Sequence, residues 1–224
     1  MTMQMIKKWR ERKQIAPLQL SFVFAFITVA IIILTIGLAE AAITGYYKEV
    51  YRLSLPLAYT MVVIANVFLY LFASNITDKG KSAFISVVII GIVLIIIFFL
   101  PWNWWGVPQE DYAGKLSIRL YTNFAFITFS YVIYITIAVI CNGTKKKTDD
   151  KITHAGLTLL FYSMISLILY FLMILFDNLL IVLYRHPGYS EFIYIAWIFA
   201  ILFLILTYLS LVMPEWLVKR IKKP

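Results

Sequence analysis

The sequence carries one cysteine, Cys141, and two histidines, His154 and His186, in 224 residues. A lone cysteine excludes an intrachain disulfide framework and any cysteine-built metal cluster within one chain. The two histidines stand at opposite ends of the same long apolar segment. HExxH or paired-histidine spacing is therefore absent, and no transition metal is implied. For the same reason a Ser-His dyad at membrane depth is excluded. No GxxxxGK[ST] or GxGxxG occurs, so a nucleotide cofactor has no support, and no lysine falls mid-span to hold a retinal Schiff base. Acids are few, eleven against twenty Lys and Arg. Their near absence from the apolar runs argues against a proton-driven pump, whose relays use Asp, Glu or His at depth.

What the chain has in quantity is apolar surface, at 62% hydrophobic and 17% aromatic residues. That share exceeds an ordinary soluble domain's and predicts an all-α, polytopic integral membrane protein. Six spans are expected, at about 17–43, 52–74, 84–100, 119–140, 157–184 and 192–213, forming one transmembrane domain over 1–224. The first is read as a retained span, because it is too long and lacks the small-residue site of a removable signal peptide. Gly37, Ala41 and Gly45 near its end predict a close helix contact. Tryptophans 102, 104 and 105, in an irregular loop after the third span, suit the interfacial belt.

A net charge of +9 would suggest nucleic acid in a soluble protein. Here the cations flank apolar spans, so no nucleic acid is expected, and the partners implied are the lipid bilayer and anionic lipids at the basic tails. Fifteen of the twenty Lys and Arg fall in the two termini and the loops at 75–81 and 142–151. The positive-inside rule then places both termini in the cytoplasm of a cell membrane. It also places the sequon Asn75-Ile76-Thr77 on the side where glycosylation cannot act.

At 100° per residue, three spans show polar stripes. On the fifth, Ser163, Ser166, Tyr170, Asp177 and Tyr184 share an arc of about 60°. On the fourth, Arg119, Asn123, Ser130, Tyr134 and Cys141 do the same, and on the second Arg52, Tyr59, Asn66 and Tyr70 share about 40°. Polar stripes in lipid turn toward other helices, since unsatisfied groups facing hydrocarbon are costly. Two uses are open: interhelical hydrogen bonding, or an outward-facing polar cavity with Arg52 and Arg119 at its mouth. A hairpin of spans four and five puts residues symmetric about Thr148 at equal depth. Arg119 then lies level with Asp177, predicting an ion pair, and Ser130 lies level with Ser166.

The run from Leu55 to Lys81, with Ala65-Asn66-Val67-Phe68 and Phe72-Ala73-Ser74-Asn75 leading into a short basic loop, resembles the membrane-embedded input regions of prokaryotic sensor kinases of the seven-helix histidine-kinase type. Met213-Pro214-Glu215-Trp216-Leu217 before basic residues resembles the exit of such a region. The chain departs from that family in having six expected spans and no kinase after Pro224. The resemblance implies ligand or membrane sensing passed to a separate signalling partner and transfers no catalytic residue.

These readings converge on a non-enzymatic membrane sensor or accessory subunit without a cofactor. Its candidate ligand residues are Arg52, Tyr59, Asn66, Arg119, Asn123, Ser130, Tyr134, Ser163, Ser166, Tyr170 and Asp177. The alternative from another class is a facilitator-type transporter or channel for a small solute, for which polar stripes would continue through the membrane.

Overall fold

A computed structural model describes residues 2–13, 15–44, 49–77, 80–100, 103, 120–184 and 190–222. Its regular elements, among the described residues, are all helical: α1 (Thr2–Arg12), α2 (Ile15–Thr44), α3 (Glu49–Thr77), a 3-10 turn (Lys81–Ala83), α4 (Phe84–Phe98), α5 (Leu120–Lys145), α6 (Lys151–Tyr184), α7 (Glu191–Val212) and α8 (Glu215–Lys222). Six of these are long and apolar enough to cross a membrane: Pro17–Thr44, Arg52–Asn75, Lys81–Phe98, Tyr121–Lys145, Lys151–Leu180 and Glu191–Val212. The chain is thus an all-α, multi-pass membrane protein. Helices suit that medium because they satisfy their own backbone groups where water is absent.

The helices outrun the apolar runs at both sides of the basic loop. The expected loop at 142–151 contracts to the residues between Lys145 and Lys151. Hydropathy marks the part of a helix that lies in hydrocarbon, whereas capping decides where the helix stops. Asp150 is that cap. Its carboxylate accepts from Ile152 N at 3.3 Å and from Thr153 N at 2.9 Å, filling backbone donors left open at a helix start. Thr153 Oγ1 closes the same box with a 2.6 Å bond to Asp150 Oδ2. Similarly, α3 starts at Glu49, which leaves Pro56 well inside the helix. The proline removes one rung of the ladder there, and Thr60 Oγ1 donates to its carbonyl at 2.8 Å.

The chain divides into two compact units, one of residues 1–130 with 178–189, the other of 131–177 with 190–224. Helices α5 and α6 contribute to both. In the first unit α2 packs along α3 and α1 packs on α2. Phe68 of α3 receives the rings of Phe22 and Phe26 at 5.1 and 5.7 Å. Met5, 2% exposed, is the buried anchor of α1, which ends at Lys13 in the left-handed region. The basic N-terminal segment is therefore an ordered helix. Helix α4 meets α3 where Gly91 leaves room for Val63 and Val67: a Cβ there would stand 3.3 and 3.4 Å from their methyls. The other side of α4, with Ile85, Ile89, Ile92 and Ile96, is exposed and suits acyl chains.

In the second unit α5 and α6 form the expected antiparallel hairpin. Tyr131 Oη donates to the Ile168 carbonyl at 3.1 Å, Tyr134 stacks on Phe171 at 5.9 Å, and Lys145 Nζ lies 6.0 Å from the Phe161 ring. Helical side chains lean toward their own N-terminus. With about one turn of lean on each helix, all three contacts fit a hairpin symmetric about Thr148. Helix α7 returns alongside α6, with Phe192 against Phe176 at 5.4 Å and Ser210 Oγ donating to the Gly156 carbonyl at 2.7 Å.

Burial separates the three striped spans. The apolar windows of the second and fourth spans are 56% and 50% buried, against 33% for the fifth. Helices α3 and α5, not α6, are the most enclosed walls.

Candidate functional site

In the first unit the polar stripes of α3 and α5 face one another and join at two levels. At the deeper level Asn66 Nδ2 donates to Ser130 Oγ at 3.0 Å. Ser130 passes its own proton to the Phe126 carbonyl at 3.0 Å. The hydroxyl thus serves as acceptor and donor at once, and both residues are enclosed, at 3% and 0% exposure. Two turns away Tyr59 Oη donates to Asn123 Oδ1 at 3.4 Å. The Tyr59 ring stacks on Phe126 at 4.6 Å and meets the edge of Phe98 at 5.6 Å, so aromatic packing fixes where its hydroxyl points.

Asn123 is fully buried, yet its Nδ2 finds no acceptor among the described residues. Exchanging the two ends of the amide would only move the vacancy to the oxygen. A buried donor without an acceptor typically costs about 1 to 3 kcal/mol. Among the described residues it marks a place where a hydrogen-bond acceptor would be gained without breaking an existing bond. The neighbouring residue, Thr122, donates instead to Asn103 Oδ1 at 3.2 Å, and Asn103 Nδ2 donates to the Ile97 carbonyl. Asn103 is fully buried and ties the end of α4 to the start of α5. Sequence reasoning missed it, because one asparagine among tryptophans has no periodicity. The available signal was an amide directly after an apolar helix, where the last carbonyls lack partners.

Arg52 and Tyr70 lie on the same α3 face and are buried, at 8% each. Tyr70 Oη donates to the Gly80 carbonyl at 3.0 Å, closing the turn into the third span. Arg119 lies outside the described residues, and so does the expected ion pair with Asp177.

In the second unit the α6 stripe is buried at Ser163, Ser166 and Asp177 and half-buried at Tyr170, while Tyr184, in the first unit, is exposed. Its serines donate within their own helix, Ser163 to Leu160 O at 2.7 Å and Ser166 to Tyr162 O at 3.1 Å. Asp177 accepts from Ser190 N at 2.6 Å and Ser190 Oγ at 2.7 Å. Ser190 in turn caps α7 by accepting from Phe192 N. Tyr134 and Cys141 continue the α5 stripe and are buried.

Among the described residues, no three His, Cys, Asp or Glu side chains come together to hold a metal ion. No family model, characterised protein or solved structure matches the chain.

Proposed function

We propose that this protein is a membrane-embedded, non-enzymatic sensor or accessory subunit whose responsive element is the polar seam between α3 and α5. The observation that carries this is the buried Asn123 amide, whose Nδ2 finds no acceptor among the described residues. Such a donor is costly to leave unpaired in a buried site, and polar residues inside a membrane are rare and tend to serve function. A small molecule with a carboxylate or carbonyl oxygen would complete Asn123. The closed Asn66 to Ser130 bond beneath supports a seam that ends within the membrane, as a sensor needs, over the continuous path of a facilitator.

The orientation belongs to the same proposal. With both termini cytoplasmic, as the charge asymmetry favours, Tyr59 and Asn123 lie in the outer half, and the response passes inward to a separate signalling partner. This matches the resemblance of Leu55 to Lys81 to sensor-kinase input regions.

The test is Asn123→Cys in a Cys141→Ala background, probed in intact cells with a membrane-impermeant thiol reagent. Reaction slower than at Tyr121→Cys, which starts 59% exposed, but complete within hours is expected. Full protection at Asn123, or reaction at Lys146→Cys, would overturn the outward-facing seam. Downhill uptake of acetate or succinate into proteoliposomes would replace the sensor by a facilitator.

A further inference from the structure

Two basic segments far apart in sequence meet at one end of the second unit. The first is the turn between α5 and α6, with Lys146, Lys147 and Lys151, all exposed. The second is α8, whose Lys219, Arg220 and Lys222 are also exposed. What brings them together is the close packing of the end of α7 on the start of α6. Ser210 Oγ holds the Gly156 carbonyl at 2.7 Å, and a Cβ on Gly156 would stand 2.9 Å from Met213 Cε and 3.4 Å from the Ser210 carbonyl oxygen. Met213 then takes a left-handed conformation, φ 46°, and Pro214 follows, so α7 stops there and α8 starts within two residues. Lys222 is near enough to Asp150 to help draw that carboxyl below its ordinary range, after the larger effect of the Thr153 hydrogen bonds.

Helix α8 is two-faced. Leu217, Val218 and Ile221 are half-buried on one side, whereas Lys219, Arg220 and Lys222 look outward with Trp216, which is 56% exposed. Exposed tryptophan beside lysine and arginine, at the foot of apolar spans, is the composition of the headgroup region. The two segments carry six exposed cations against three acids, Asp149, Asp150 and Glu215. The cluster therefore keeps a surplus of positive charge at headgroup level.

We propose that the α5–α6 turn and α8 together form one binding site for the headgroup of an anionic phospholipid, with Trp216 at the acyl boundary. Each triplet supplies half of the cradle. Neither alone surrounds a phosphate, since α8 presents its cations along one exposed side and the turn presents its own from another segment. The site differs from general attraction of basic tails to a leaflet, in which the triplets would act separately. It is also independent of the seam at Asn123, which lies in the first unit.

The test is native mass spectrometry of the full chain in detergent, titrated with phosphatidylglycerol or phosphatidylcholine of identical acyl chains. The wild type is expected to retain phosphatidylglycerol preferentially, and removing a cation should weaken retention about five-fold. The variants are K146Q/K147Q/K151Q, K219Q/R220Q/K222Q and all six substitutions together. Either triplet alone should abolish the retained lipid as completely as the sextuple change, while K7Q/K8Q/R10Q leaves it intact. Equal retention of the two lipids by the wild type would overturn the site. So would triplets that each leave the other's lipid bound, since that is the behaviour of independent tails. Inorganic phosphate at millimolar concentration should fail to displace the lipid; if it displaces it fully, the site is one for free phosphate and the proposal is wrong.

Discussion

Asp177 and Ser190 form a two-bond clasp, the carboxylate Oδ1 receiving both the backbone N–H and the hydroxyl of Ser190 at 2.6 and 2.7 Å. Both residues are buried, at 2% exposure each. Bonds to a carboxylate are stronger than neutral ones, so this contact anchors the start of α7 to α6 and explains why an acid is tolerated in a long apolar helix.

Removing the clasp has an ordered set of consequences. Asp177→Ala strands a buried backbone donor and should cost about 2 to 3 kcal/mol. Ser190→Ala leaves the backbone bond and loses one hydroxyl bond and a helix cap, about 1 kcal/mol. Because the residues share their bonds, the double variant should cost less than the two singles added. Thermal unfolding in detergent measures this; strict additivity would mean the contact carries no coupling.

The bond between Asn66 and Ser130 should behave as an interhelical contact in lipid, with a coupling of about 0.6 kcal/mol in a double-mutant cycle of Asn66→Ala and Ser130→Ala. Asn66→Asp should be worse than Asn66→Ala. Ser130 would have to turn its hydroxyl away from Phe126 O to meet an acid at 66, and that acid would add the cost of a buried charge. Reversible unfolding in mixed micelles distinguishes the two variants.

The hydroxyl and amide residues on α3 and α5 were legible from sequence because lipid forces polar stripes inward, and the 3.6-residue period identifies them. The same reasoning sets the α6 stripe level with those two. A stripe of Ser163 and Ser166 looks like Asn66 and Ser130 in a periodicity count, but serine can return its proton to its own helix at three or four residues' distance, and asparagine cannot do so as readily. The six spans were legible from hydropathy. Their ends were not, because Asp150 and the polar turn Asn142-Gly143-Thr144 belong to helices or caps outside the apolar run. The Asp177 partner was missed because Ser190 becomes its neighbour only through the turn back into α7, which no pattern along one helix encodes.

Asp150 gives a pH dependence of definite sign. Hydrogen bonds from the Thr153 side chain and backbone, then from Ile152, with help from Lys222, hold its carboxyl below the ordinary 3.8. A group with a depressed folded pKa contributes stability that is fully present above its unfolded pKa and is lost as pH falls through the folded one. The difference in melting temperature between wild type and Asp150→Ala should thus be constant from pH 7 to 5 and shrink below about 4. Asp150→Asn, which still caps through its amide oxygen, should retain a part of the difference that does not change with pH. A gap that widened in acid would reverse the assignment.

The turn from α3 into the third span tests whether a tyrosine or a glycine sets its shape. Gly80 has φ +78°, where side chains are strained, and a Cβ there would stand 2.7 Å from Tyr70 Oη. Gly80→Ala therefore meets two penalties, about 1 to 2 kcal/mol for the left-handed backbone and a clash with a hydroxyl that is itself bonded to the Gly80 carbonyl. Tyr70→Phe alone should lose about 1 kcal/mol, the net value of that hydrogen bond. In the Tyr70→Phe background the clash is gone and only the backbone penalty remains, so Gly80→Ala should be milder there than in the wild type. Gly80→Asn, which tolerates the left-handed region better than alanine, should lie between wild type and Gly80→Ala only in that background, because its Cβ meets the same hydroxyl. Unfolding of the four alanine and phenylalanine combinations, with the asparagine pair as a check, separates strain from contact. If the cost of Gly80→Ala is equal in both backgrounds, backbone strain alone governs the turn and Tyr70 is a bystander.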